Sequence, residues 1–169
     1  MEKIQTYTSR ELFDWLLSKA RSSESTRKIL INATQQQQSA TIIGKMYFFK
    51  YDAKWKDVLP KWDRYPLVFP IERYNDGFLG LNLHYLTQKE RMLFLNKLTE
   101  YATAKNLTEK TRIRMTYELL SSTKRLNTLG RPCIKRYLYT HVRSKFIEIP
   151  ATEWDRVVQL PLEHFIYNK

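Results

Sequence analysis

Eleven of the chain's 23 aromatic residues fall between Gly44 and Leu86, in GKMYFFKYDAKWKDVLPKWDRYPLVFPIERYNDGFLGLNLHYL, where acidic and basic side chains nearly balance. A block so rich in rings is built to fold on itself. Residues 45–51 and 67–71 are runs of strand formers, and residues 78–83 alternate after the turn signal Asn75-Asp76-Gly77. Three strands so close together predict a small antiparallel sheet or an SH3-like barrel over about residues 44–86. Alternation sends Tyr47, Phe49 and Tyr51 to one side and Met46, Phe48 and Lys50 to the other, so at least one aromatic row must be core. Pro66 and Pro70 confine the middle strand to an edge or a bulge.

The flanks change period. Thr8 and Glu11 have capping-box spacing, and Leu12, Phe13, Leu16, Leu17 and Ala20 then share one helical face. Residues 22–41, with four consecutive glutamines at 35–38, show no periodic face and read as an arm. Thr87 and Glu90 repeat the capping box, with Leu93, Phe94, Leu95, Leu98 and Tyr101 as the buried side of a helix. A second helix is predicted from Thr108, carrying Ile113, Tyr117 and Leu120, and a third from Pro132, with Ile134, Leu138 and Val142 inward. Residues 146–149 read as a last strand, and residues 152–158 as a short helical turn. The fold class is therefore α+β: an N-terminal helix and arm over residues 1–43, then one domain over 44–169 in which a basic helical segment (about 87–144) follows the sheet.

Positive charge is concentrated outside the aromatic block. From Lys105 to Lys145 there are eleven Lys or Arg against two Glu, a balance of +9 within a total of +12. Surfaces normally mix signs, and this one would repel itself unless an anion faced it. Arg112, Arg114, Lys124, Arg125, Arg131, Lys135, Arg136 and Arg143 are the residues assigned to that anionic partner, nucleic acid or an acidic protein surface. No helix-turn-helix, RNP or GxxG pattern is present, so contact with DNA would be mainly to phosphate.

Catalytic chemistry finds little footing. His84, His141 and His164 have no HExxH or CxxC companion, and Gly44-Lys45 lacks the remainder of a phosphate loop. Asp52, Asp57, Asp63, Glu72 and Asp76 could in principle serve a metal-dependent nuclease, but three of them lie among Lys and Trp where solvated charges are ordinary. We expect no enzyme, no cofactor and no metal. A lone Cys133 excludes an intrachain disulfide and suggests a reducing compartment. No apolar run has the length of a signal peptide or a membrane span, so no membrane partner is expected.

Rings interleaved with lysines also resemble faces on which bases stack while cations track phosphates. Trp55, Trp62 and Tyr65 are the candidates there, for stacking or for docking a protein, since they fall in the polar stretch 52–65.

The strings GKMYFFKYDAK, LPKWDRYPLVFPI and GFLGLNLHYL, a helix carrying Arg91, and then GRPCIKRYLYTHVRS with FIEIPATEWDRVVQLPLEHF resemble small proteins encoded by large contractile-tailed bacteriophages, over about residues 44–165. The resemblance brings no catalytic residues with it. It implies a viral setting: a virion connector or baseplate-type component, assembled in the host cytoplasm and docked to other phage structural proteins. The alternative is a nucleic-acid-binding factor in phage DNA metabolism or packaging. The first is the leading expectation.

Overall fold

The computed structural model describes residues 14, 15, 18, 37, 38, 43–103, 106, 108, 111 and 133–169. Its strands in chain order are β1 (Gln37–Gln38), β2 (Met46–Phe48), β3 (Lys61–Asp63), β4 (Leu67–Tyr74), β5 (Gly77–Asn82), β6 (Ile134–Leu138), β7 (Phe146–Ile149) and β8 (Phe165–Tyr167). Helix α1 (Gln88–Thr103) lies between β5 and β6, and the single turn α2 (Trp154–Val157) between β7 and β8. Six strands form an antiparallel sheet in the order β1-β7-β2-β4-β5-β6, while β3 pairs with β8. The α+β class holds. Among the described residues no pairing joins β1 to β6, so the sheet is open and the barrel alternative is set aside; closure would need both outer strands paired.

The aromatic block is core on both faces. Met46, Phe48, Leu67, Phe69 and Leu81 pack with Leu95 and Leu98 of α1 and with Trp154 and Val157 of α2. Tyr47, Phe49, Tyr51, Val68, Phe78, Tyr137 and Phe146 form a second cluster, closed by Trp62, Leu59 and Ile166. Phe49 meets Phe78, Tyr137 and Phe146 edge-on at 4.9–6.1 Å, the geometry that ring quadrupoles favour. Pro70 lies inside β4, an inner strand, at a bulge between Pro70 and Glu72 and beyond the two residues that pair with β2. Its missing N–H therefore leaves no gap in the β2 ladder.

The third predicted helix is the main local error. Residues 134–138 are strand β6, paired with β5 through Phe78↔Tyr137 and Leu81↔Ile134. A five-residue run such as Ile-Lys-Arg-Tyr-Leu is too short for its period to decide between helix and strand. What decides is the open edge of β5 and the stacking of Tyr137 on Phe78 at 5.3 Å. β7 is also not the last strand, because β8 follows it and pairs with β3.

Gly77 shows the same dependence on β6. A Cβ there would stand 1.9 Å from the carbonyl oxygen of Tyr137, so the glycine of the turn signal is required by the neighbouring strand. Gly77→Ala should cost about 1–3 kcal/mol through overpacking. Chemical denaturation would read this as a lower midpoint, and an unchanged midpoint would mean that β6 does not lie so close.

The capping box of α1 forms as expected: Thr87 N–H donates to Glu90 Oε2 (2.8 Å), and Glu90 N–H to Thr87 Oγ1 (3.3 Å). Leu95 and Leu98 are buried, but Leu93 is exposed. At the predicted second start, Thr111 N–H donates to Thr108 Oγ1 (3.2 Å); Ile113, Tyr117 and Leu120 lie outside the described residues. So do Leu12, Phe13, Leu16, Leu17 and Ala20. Trp15, which that apolar face omitted, stacks on Tyr65 at 5.3 Å, and its Nε1 donates to the Leu162 carbonyl (3.2 Å).

Candidate nucleic-acid interface

Loop 52–60, the end of β3, the 3-10 turn Leu83–Tyr85 and strand β6 surround a cavity of about 140 Å³. The loop folds as successive turns, with Lys56 N–H donating to the Ala53 carbonyl and the Val58 and Leu59 N–H groups to the Trp55 carbonyl. The Asn168 side chain ties the carbonyls of Lys56 and Leu59 to the chain's end. This holds Trp55 outward, 62% exposed, at the cavity's lip. Buried Tyr51, Trp62 and Tyr137 form its back wall.

Cations gather at the same place from distant parts of the chain. Lys54 Nζ lies 5.1 Å from the Trp55 ring, while Lys135 Nζ and Lys61 Nζ lie 4.6 and 5.6 Å from the Tyr85 ring. Arg136 stacks on Tyr74 at 3.8 Å and pairs with Asp76. Among the described residues no carboxylate pairs with Lys54, Lys61 or Lys135, whereas Lys45, Lys56 and Arg143 each have one within reach. Burial, with the neighbouring Lys61 charge, holds the Lys135 ammonium below its ordinary pKa. Burial and the Asp63 charge push the Tyr85 hydroxyl well up, so its ring stays neutral beside the two lysines.

Of the residues singled out in the sequence, Lys135, Arg136, Trp55 and Trp62 meet at this cavity. Lys135, Arg136 and Arg143 fall in the third predicted helix, and that placement is corrected: the first two lie on β6. Arg143 follows a 3-10 turn and is occupied locally, donating to the Thr140 carbonyl (2.7 Å) and reaching Asp52 (3.6 Å). Tyr65 is no surface anchor, being 2% exposed between Phe48, Trp15 and His164. Trp62 is also buried, at 7%, because strand β3 turns its ring into the second core cluster. Arg112, Arg114, Lys124, Arg125 and Arg131 lie outside the described residues.

Three carboxylates, Asp52, Asp57 and Asp63, were expected as ordinary solvated charges among Lys and Trp. Two of them are spoken for. Asp52 pairs with Lys56 (2.9 Å) and Arg143. Asp63 is buried, accepting from His84 Nδ1 (2.6 Å), Asn82 Nδ2 (3.0 Å) and the Tyr65 N–H (3.1 Å). Burial alone would raise its pKa, but the charge of His84 and these hydrogen bonds outweigh burial and keep the carboxyl below its ordinary value. Among the described residues no group of three or more His, Cys, Asp or Glu could hold a metal ion, and no helix is long and apolar enough to cross a membrane.

Sequence reasoning missed Lys61 and Tyr85 as partners of Lys135. Their only signal was membership of the aromatic block, because pairing β5 with β6 is what brings Tyr85 beside Lys135.

Among curated proteins and solved structures nothing matches the chain. A family model described as the phage T4 terminal DNA protecting protein matches residues 17–169. That description overturns the leading expectation of a virion connector or baseplate component that docks to structural proteins. It agrees with the nucleic-acid alternative and with the phage resemblance at the level of family. Because the match runs from residue 17 to the last residue and takes in the whole sheet and the cavity, the chain belongs to the family of the phage T4 terminal DNA protecting protein.

Proposed function

We propose that this chain is a non-enzymatic DNA-end binding protein that shields a duplex terminus by occupying it. The observation that carries this reading is that Lys54, Lys135 and Arg136 line one cavity with the exposed Trp55, that Lys61 shares the Tyr85 ring with Lys135, and that no carboxylate among the described residues pairs with the three lysines. The family's description supports the choice of DNA and of its ends. Unpaired lysines suit the phosphate backbone, which supplies affinity without reading sequence. A protein seated on a DNA terminus would travel with packaged DNA, so a place in the virion belongs to the proposal.

The test compares a linear duplex with a covalently closed circle of the same sequence, measuring affinity and resistance to an added exonuclease. Preference for the linear form is expected, with little dependence on sequence and, for about four phosphate contacts, a log-log salt slope near −3.6. Lys54→Glu combined with Lys135→Glu should weaken binding by about tenfold or more and reduce the slope by about 2. Equal binding to circle and linear DNA would refute end recognition. Full protection by the double variant would remove these lysines from it.

A further inference from the structure

We propose that the cavity behind Trp55 takes a single unpaired nucleobase, the terminal base of a DNA strand, with the strand's phosphates held by Lys54 and Lys135. The inference rests on the end-binding reading and adds what the site recognises at that end. It starts from size: an enclosed apolar cavity of about 150 Å³ accepts a benzene ring, and this half-open cleft of about 140 Å³ has room for one planar base and not for a base pair. The walls have the matching chemistry. Trp55 at the lip presents an exposed indole, and buried Trp62, Tyr51 and Tyr137 close the back.

The wall of core residues is the reason for a terminus. A groove that binds strand interiors must let the backbone run through, whereas a pocket walled by core residues admits a base only where a strand can enter and stop. Cations stand where the phosphates of the entering nucleotide would lie. Lys54 sits beside the Trp55 ring, and Lys135, also in the cavity wall, lies over Tyr85. Two of the three acids of stretch 52–65 are engaged: Asp63, in the cavity wall, is buried among its three donors, and Asp52 is paired, while Asp57 is exposed on the loop. Stacking tolerates any base because every base offers a π-face, which suits a protein that must accept whatever sequence ends the duplex.

The experiment uses the full chain and hairpin duplexes with one open end carrying a one-nucleotide overhang, either with its base or abasic, and a dumbbell closed at both ends. The base-bearing overhang should bind about 5- to 150-fold tighter than the abasic one, and should quench tryptophan fluorescence, Trp55 being the exposed tryptophan. Trp55→Ala should erase that difference, and Trp55→Tyr should keep part of it. With so much of its ring in solvent, replacing Trp55 should leave thermal unfolding unchanged, which separates a binding defect from misfolding. Equal affinity for base-bearing and abasic ends, both above the dumbbell, would overturn the pocket and spare end binding. Absence of any preference over the dumbbell would overturn both. Free dAMP binding as tightly as the overhang would overturn the strand terminus as ligand, and full discrimination by Trp55→Ala would overturn the indole as its platform.

Discussion

Arg91→Ala should destabilise the folded chain by about 3–5 kcal/mol, the cost of removing one partner from a buried charged network. Arg91 is 5% exposed on the first turns of α1. Its Nε donates to the carbonyls of Leu83 (2.7 Å) and Leu86 (3.1 Å), and its terminal nitrogens reach those of Val158 and His84 (both 3.3 Å) and the Glu163 carboxylate. One guanidinium thus joins the end of β5, the cap of α1, the end of α2 and the segment leading to β8. For a chain of this size the loss corresponds to a fall in Tm of roughly 6–20 °C. Lysine, a single point charge, cannot serve carbonyls in several directions, so Arg91→Lys should recover little. A change of less than about 1 kcal/mol in urea unfolding would show that the neighbouring carbonyls find other donors.

What could be read from the chain follows the range of the forces involved. Strands β2, β4 and β5, the turn between β4 and β5 and the cap of α1 were legible because each is set by residues within a few positions: the runs around Tyr47 and Phe69, Asn75-Asp76, and Thr87 with Glu90. Strand β6 was not. Ile134, Leu138 and Val142 have helical spacing, and only the edge of β5, over fifty residues earlier, makes the same residues a strand. Tyr65 failed for a related reason, since it was judged by polar neighbours in sequence while its ring is placed by a contact with Trp15 across the domain.

The candidate site was legible in kind and not in place. Lysines among aromatic rings offered base stacking as one reading beside protein docking, and Trp55, one of the residues named for it, is exposed. The cluster itself is assembled from loop 52–60, β3, the turn after β5 and β6, so sequence spacing could not show that Lys54, Lys61 and Lys135 converge. Charge counting also gave every carboxylate the same weight. Asp63 shows why that misleads: it adds to the formal balance, yet it is buried at the root of the site and works there as a hydrogen-bond acceptor.

Asp63→Ala should therefore damage both the fold and the site, again by about 3–5 kcal/mol. The substitution strands three buried donors at once, His84 Nδ1, Asn82 Nδ2 and the Tyr65 N–H, and frees the β3–β8 ribbon from the end of β5 that positions Tyr85. Asp63→Asn should lose less, because its amide oxygen can still accept from one or two of them. The pH dependence has a definite sign. The folded-state pKa of Asp63 lies below its ordinary value, so its contribution is fully present above the unfolded carboxylate pKa of about 3.9 and disappears as pH falls through the lower folded value. The difference in stability between the natural chain and Asp63→Asn should accordingly be constant, as far as this carboxyl is concerned, from neutral pH down to about 5, and shrink below about 4. A difference that instead grew on acidification would mean that Asp63 is held protonated in the fold, and that the His84 pairing does not govern it.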